Sequence, residues 1–266
     1  MRQYKREINV ILGEDSLHSK EFDIEFDVEF SDEPKLNHAE VKLYNLSNDR
    51  INSIKNGTPI IIQAGYEGDV GSIFMGAVYE METEKTTVDR VTTIRAVDAT
   101  DQIKKLRVNK TYQAGTRNSQ IIRDLISISG LSLGVLSLPK DVVYRSGKTV
   151  QGNIITLLKR QAQDAGAKFH ILNQKVYIRA GNEGDNIQFV FNKNRGLIGT
   201  PEPFVEDVDG KEIKGFKVLG LLQHRIKADA VITVESSVIK GRYRVRKGRH
   251  YGSNFGQDFY TEMEVV

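Results

Sequence analysis

Residues 57–97 read GTPIIIQAGYEGDVGSIFMGAVYEMETEKTTVDRVTTIRAV, and the fold turns on how this stretch divides. Three runs rich in β-branched and aromatic residues, 59–64, 74–82 and 90–97, are separated by Gly65, Gly68 and Gly71 on one side and by residues 84–89 on the other. Such side chains fit a pleated, half-buried surface, and Gly, Asp and Asn clusters bound strands, so the stretch is expected to form an antiparallel meander. A shortened echo stands at the C-terminus. Ile54-Lys55 before Ile60-Ile61-Ile62 matches Ile226-Lys227 before Ile232-Thr233-Val234. Gly76-Ala77-Val78-Tyr79 matches Gly241-Arg242-Tyr243-Arg244, and residues 91–97 match 260–266. The echo predicts that 57–97 and 226–266 are equivalent strands of two β-barrels in separate sheets, with 98–180 outside both.

Upstream of the meander, residues 21–30 alternate strictly. Phe22, Ile24, Phe26, Val28 and Phe30 fall on one face of a strand; Glu21, Asp23, Glu25, Asp27 and Glu29 fall on the other. The apolar row belongs in a core, each side chain contributing roughly 1.5–3 kcal/mol on burial before entropy. Like charges stacked along one face repel, so the acidic row must face water or a basic partner. Residues 39–46 read as another strand. Ser47 or Asn48 is placed to cap a short helix that ends near Gly57, with Ile51 and Ile54 inward.

After a helical linker expected over 98–106, the hydrophobic period changes from two to 3.6. Thr116 is placed to cap a helix with Ile121, Ile122, Leu125 and Ile126 as its apolar stripe and Gly130 as its end. Thr149 is placed to cap a second helix, with Ile154, Ile155, Leu157, Leu158 and Ala162 inward and Gly166 as its stop. Residues 131–138 form an extended piece, and 169–172 with 176–178 a hairpin across Asn173-Gln174. Strands are again expected at 187–191, 216–222, 231–234, 242–247 and 259–265, with the Gly- and Pro-rich residues 196–203 as a link. The fold class is mainly β with an α+β insert. The expected domains are a first barrel over 1–106, an α+β middle domain over 107–181 and a second barrel over 182–266.

Composition narrows the chemistry. A chain of 266 residues, 39% hydrophobic and 27% charged, is ordinary for a globular protein of two or three modest domains. No apolar run approaches the roughly 20 residues that span a bilayer, and residues 8–12 are too short and too acid-interrupted for a signal peptide. Cysteine is absent, which removes disulfides, thiolate metal sites and a thiol nucleophile. That fits a reducing cytosol and equally a particle that persists outside a cell. Ser146-Gly147-Lys148-Thr149 ends like a phosphate-binding loop, but Val142 stands where the first glycine is required, so the backbone cradle is missing. His18, His38, His170, His224 and His250 include no i, i+4 pair of the kind a helical metal site uses. No nucleophile elbow is present, and no acid–base pair stands out. Catalytic, cofactor and metal residues are therefore none.

A basic hairpin remains. Lys240, Arg242, Arg244, Arg246, Lys247, Arg249 and His250 surround Tyr243, Val245 and Tyr251. Alternation puts Arg242, Arg244 and Arg246 on one face and Tyr243 and Val245 on the other. Basic residues interleaved with aromatics suit nucleic acid, or an acidic protein surface. The acidic row at 21–29 favours the second.

With two β units flanking a helical middle, the chain resembles the phage baseplate hub family, the tail-tube-like hub proteins of long-tailed phages and phage-tail-like particles. The resemblance is carried by 39–46 with the meander to Asp98, and by Asn153-Ile154-Ile155-Thr156-Leu157-Leu158 with the hairpin ending Val176-Tyr177-Ile178. It is carried further by Gly196-Leu197-Ile198-Gly199-Thr200-Pro201-Glu202 and by Gly241-Arg242-Tyr243-Arg244-Val245 with the last strand. It implies a non-enzymatic virion protein, assembled in the bacterial cytoplasm. Its homotrimer would form a pseudo-sixfold ring joining the tail tube or distal tail protein above to a spike, fibre or tape-measure protein below. DNA would pass through without specific binding. Many relatives continue into a hydrolase or spike domain, for which a chain stopping at Val266 leaves no room. On this reading Glu21, Asp23, Glu25, Asp27 and Glu29 line the channel or a subunit seam, and Arg242, Arg244 and Arg246 contact a neighbouring protein. The rival readings are a nucleic-acid-binding barrel using the hairpin 240–250, and a cell-wall-active module with an unrecognised site.

Overall fold

The computed structural model describes residues 5–98, 103, 105–208 and 210–266. The chain is mainly β and divides into two compact units. One comprises Met1–Ser31, Asn37–Val97 and Gly184–Val266; the other comprises Asp32–Leu36 and Asp98–Glu183.

In chain order the first half holds β1 (Arg6–Leu12), β2 (Asp15–His18), β3 (Ile24–Ser31), β4 (His38–Tyr44), α1 (Asn48–Ser53), β5 (Pro59–Tyr66), β6 (Asp69–Lys85) and β7 (Arg90–Val97). The meander forms as expected, with β7 at its expected bounds and β5 and β6 longer, so that Gly65 and Gly71 fall inside strands and not between them. β5 and β6 meet at a tight turn through Glu67 and Gly68, whose φ of 83° suits glycine. Ser47 caps α1 by accepting the Arg50 N–H.

The second unit holds β8 (Arg107–Tyr112), β9 (Thr116–Arg117), α2 (Asn118–Ser129), β10 (Ser132–Leu136), β11 (Val143–Tyr144), β12 (Lys148–Asn153), α3 (Ile154–Asp164), β13 (Lys168–Leu172) and β14 (Lys175–Arg179). Ile121, Ile122, Leu125, Ile126, Leu157 and Leu158 build its core against Phe169, Ile171, Val176 and Ile178. β13 and β14 turn through Asn173 and Gln174, both at positive φ, as a two-residue hairpin requires. The expected caps move. Thr116 and Thr149 lie in strands; Arg117 precedes α2, and Asn153 caps α3 by accepting the Ile155 and Thr156 N–H groups. Strand pairing of β8 with β12 keeps Thr149 extended, so the helix starts where that ladder ends. The linker expected over 98–106 lies mostly outside the described residues.

The last segment holds β15 (Asp185–Asn192), β16 (Leu197–Val208), β17 (Lys211–Leu221), β18 (Ala230–Glu235), β19 (Lys240–Ser253) and β20 (Phe259–Val265). The expected link at 196–203 is instead most of β16. Its prolines and glycine are tolerated because, among the described residues, β16 pairs on one side only, with β17, and carries a bulge between Ile198 and Glu202.

Strand order repeats between the halves, although the outer pair differs in direction, β1 running antiparallel to β5 and β15 parallel to β18. The first runs β2-β1-β5-β6-β7-β4-β3, and the second runs β15-β18-β19-β20-β17-β16. A β-bulge falls between Val78 and Glu80 where β6 meets β7, and between Val245 and Lys247 where β19 meets β20. Aligning the bulges equates Glu80 with Lys247 and 91–97 with 260–266, and the pairing onward to β5 and β18 equates Ile60 with Ile232. Two of the three echoes read from the sequence thus hold their register. The middle one slips by two residues, since Gly241 takes the place of Phe74.

The expectation of separate sheets fails. β18 covers β19 only as far as Arg244, which leaves the same edge of 247–253 open, and β3 pairs there. The segments 57–97 and 226–266 are therefore joined in one continuous sheet through β19 and β3.

Candidate functional site: the charged sheet face

β3 keeps the alternation of its sequence. Ile24, Phe26, Val28 and Phe30 are buried, with Phe22 packed at the margin of the same core. Glu25, Asp27 and Glu29 emerge on the other face; Glu21 and Asp23 precede the strand and are exposed. Antiparallel neighbours share a face, and here they interleave charges. Lys42 on β4 contacts Glu25 at 3.1 Å and Glu40 at 4.0 Å. Arg95 on β7 meets Glu40 at 3.0 Å, Glu80 at 3.3 Å and Glu82 at 3.1 Å. Arg249 on β19 meets Asp27 at 3.1 Å and Glu262 at 2.9 Å. The acidic row is thus the middle of a lattice running across β20, β19, β3, β4, β7 and β6. Each cation serves two or three carboxylates, so the face remains net acidic. Burial pushes the Asp27 carboxyl up, against the pull of Arg249. The hydrogen bond to Glu25 holds the Lys42 ammonium above the usual lysine range.

The three arginines of the basic row separate. Arg242 is exposed, opposite Thr233. Arg244 is nearly buried and donates to Asp229 at 2.8 Å. Arg246 sits at the bulge, which takes it off the strict alternation; its side chain is 2% exposed, 2.6 Å from Glu206 and 3.6 Å from Glu264. Lys247 reaches the same two carboxylates at 3.1 and 3.5 Å. Hydrogen bonds from Arg246 and Lys247 hold the Glu206 carboxyl below its ordinary range. Much of the basic hairpin is therefore engaged by carboxylates of its own chain.

His250, read as part of that hairpin, is buried. Its Nε2–H donates to the Ile226 carbonyl at 2.9 Å, and its Nδ1 accepts from the Thr261 hydroxyl at 2.8 Å. Thr261 Oγ1 in turn accepts the Gln223 N–H at 3.1 Å. One tautomer satisfies the whole chain of bonds and fastens residues 222–229 onto β19 and β20. Burial pushes the imidazole down to about 4.

Two ties had no signal in the sequence. The Arg6 guanidinium donates to the carbonyls of Ser253, Gly256, Gln257 and Asp258, closing the β19–β20 turn against β1. Arg225 pairs with Asp69 at 2.6 Å while the His224 ring lies over Gly71, where a Cβ would stand 2.2 Å from it. Among the described residues no group of three or more His, Cys, Asp or Glu is arranged to hold a metal ion, and no helix is long and apolar enough to cross a membrane.

No family model matches the sequence, and no curated protein does. Solved structures do. A 43 kDa tail protein of prophage MuSo2 from Shewanella oneidensis is similar at a TM-score of 0.69 and 11% identity, over 98% of both chains. This chain has the fold of phage tail proteins. A tail protein from Neisseria meningitidis MC58 matches with a TM-score of 0.69 at 8% identity, over 98% of this chain and 96% of that one. An E. coli component of the type VI secretion system, described as structurally similar to the T4 tail proteins gp27 and gp5, matches with a TM-score of 0.68 at 9% identity. That match covers 99% of this chain and 76% of the other. The resemblance read from the sequence and the structural neighbours agree on this fold.

Proposed function

We propose that the protein is a structural baseplate hub of a phage tail or phage-tail-like particle. Three copies form a pseudo-sixfold ring that joins the tail tube to the spike or fibre end and lets the tube contents pass. The observation that carries this reading is the end-to-end fold match to tail proteins, in a chain whose two halves repeat the same strand order and the same bulge. Within it, residues 1–106 and 182–266 are the two tube-like barrel domains and 107–181 the middle domain. The role is structural, without a catalytic step. The chain acts in the virion after assembly in the host cytoplasm, and meets a tube or distal tail protein on one side and a spike, fibre or tape-measure protein on the other.

The net acidic face that includes Glu25, Asp27 and Glu29, with Glu21 and Asp23 beside it, is assigned to the channel wall or a subunit seam. A phosphate chain slides past a wall of like charge, whereas a basic wall would hold it through counterion release. Arg242 is the exposed member of the arginine row and is assigned, with Arg244 and Arg246 behind it, to contact with a neighbouring protein. The ion pairs that Arg244, Arg246, Lys247 and Arg249 make within the chain favour this over a nucleic-acid-binding hairpin.

The test is the mass of the protein inside purified particles, with its position fixed by labelled antibody. A trimer at the distal end of the tail is expected. A monomer or dimer in the assembled particle refutes the reading.

A further inference from the structure

The turn between β19 and β20, residues 254–258, is braced from within the chain. Asn254 spends its whole side-chain amide on this. Its Oδ1 accepts the Ile24 N–H at 2.8 Å, and its Nδ2 donates to the Ser19 and Phe22 carbonyls at 2.9 and 3.0 Å. Arg6 holds the far limb through the carbonyls of Gly256, Gln257 and Asp258. Phe255 lies between these two anchorages and is 52% exposed. Its ring meets the Tyr44 ring edge-on, 5.3 Å between centroids. An aromatic side chain on a braced turn loses little freedom on binding, which is the property of an interface anchor.

Beside this turn a cleft of about 300 Å³ opens on the charged face, lined in part by Glu25, Asp27, Tyr251, Phe255 and Asp258. Tyr251 stands opposite Asp27 in the β3–β19 ladder and packs against Tyr260. The walls thus set aromatic rings beside three carboxylates. The cations that reach those carboxylates are shared: Lys42 serves Glu40 as well as Glu25, and Arg249 serves Glu262 as well as Asp27. Asp258 makes no ion pair among the described residues. Burial, with Glu29 and Glu40 adding to the push, keeps the Asp27 carboxyl raised despite Arg249, so the cleft is short of positive charge.

We propose that this cleft receives an arginine side chain from a segment of another protein, with Phe255 as the ring it stacks on and Asp258 as the carboxylate it pairs with. The chain itself shows the chemistry. Arg249 lies over the Tyr251 ring at 4.4 Å while pairing with Asp27 and Glu262, and Arg6 lies over the Phe259 ring at 5.2 Å. An incoming guanidinium repeats that arrangement where the ring is exposed and the carboxylate unpaired. A planar cation that stacks and forks suits both groups better than an ammonium does. Nucleic acid does not fit, because its phosphates would meet like charge. The inference deepens the hub reading, in which this face borders the channel or a seam, and rests on it for the partner being another tail component.

The chain has no tryptophan, so Phe255→Trp puts a single fluorophore at the cleft and keeps a ring there. The probe is a capped hexapeptide alternating Arg and Gly, titrated at 0.15 M salt. It should shift the emission saturably, while the same peptide with Glu for Arg, and single-stranded DNA, should not. Asp258→Asn in this background should weaken the peptide about threefold or more, as should Phe255→Ala in the native background, read by calorimetry. Glu80→Gln with Glu82→Gln is the control. β6 lies three strands from β3, roughly 14 Å away and beyond the screening length of about 8 Å, so affinity should change by less than about 1.5-fold. Equal losses from the control and from Asp258→Asn mean that the peptide follows net charge alone, and overturn the cleft. A shift with DNA or with the acidic peptide overturns it too. An oligomer of this chain that blocks the emission change gives the site to a second copy and overturns the proposal. Tail-end trimers whose cleft takes no arginine peptide overturn the cleft and leave the hub reading standing. Arginine-specific binding by a protein absent from tail particles leaves the cleft and overturns the hub reading.

Discussion

Protonating His250 should release the segment between β17 and β18. The ring is 1% exposed, packs on Phe30 at 4.9 Å between centroids, and accepts at Nδ1 from Thr261. A proton on Nδ1 removes that acceptor and places a charge in the core. Burial, with a smaller push from His224, holds the folded imidazole at about 4, against about 6.5 for an unfolded histidine. A base whose folded value is depressed binds fewer protons folded than unfolded. Its contribution is therefore complete above about pH 6.5 and is lost as pH falls towards 4. At ~1.36 kcal/mol per pH unit, that gap is worth about 3 kcal/mol. The assay is urea unfolding from pH 8 to pH 4 for the native protein and for His250→Gln, which keeps a donor and an acceptor without titrating. Carboxylates and His224 titrate in both, so the difference between the two curves isolates His250. The native protein should lose about 3 kcal/mol relative to the variant across this window. A difference that stays constant from pH 8 to pH 4 would refute the account.

Other positions give sharper contrasts. Gly248→Ala places a Cβ 2.2 Å from the Glu262 carbonyl oxygen and should cost at least about 1–3 kcal/mol in unfolding free energy by overpacking the β3–β19 junction; a neutral effect in urea melts would mean the junction is looser than the structure has it. Arg244→Ala leaves Asp229 buried beside a lost partner and should cost roughly 3–5 kcal/mol, read as a lowered midpoint at constant slope. Arg242→Glu, at an exposed position, should change stability by no more than about 0.5 kcal/mol while blocking incorporation into tails; normal incorporation would remove Arg242 as a contact. Reversing all three arginines is a poorer test, because Arg244 and Arg246 also hold the fold.

Much of this architecture is legible in the sequence where a period is unbroken. The alternation at 21–30 assigns both faces of β3, and the helical stripes assign the core of the second unit. The echo between 91–97 and 260–266 carries the true register because both strands follow a bulge at the same place. What escaped lies where two effects compete. Pro201, Pro203 and Gly199 punctuate like a loop, yet an edge strand with a bulge accepts them. Thr116 and Thr149 have capping chemistry but are held extended by strand partners. Arg246 counts as part of an exposed row until the bulge turns it inward. The ties made by Arg6 and Arg225 join residues some 150 to 250 positions apart, and nothing local announces them.

The junction between β3 and β19 also sets a problem of timing. β3 is made early and its partner almost last, since β19 begins at Lys240. While the ribosome works through the intervening residues, the outer side of β3 is an unpaired strand edge, the kind of surface that recruits other chains. Its exposed face meanwhile presents Glu25, Asp27 and Glu29, and mutual repulsion keeps two such edges from docking on one another. Arg249 arrives with β19 and meets Asp27 at 3.1 Å. The same carboxylates that guard the nascent chain then help to receive its final strands.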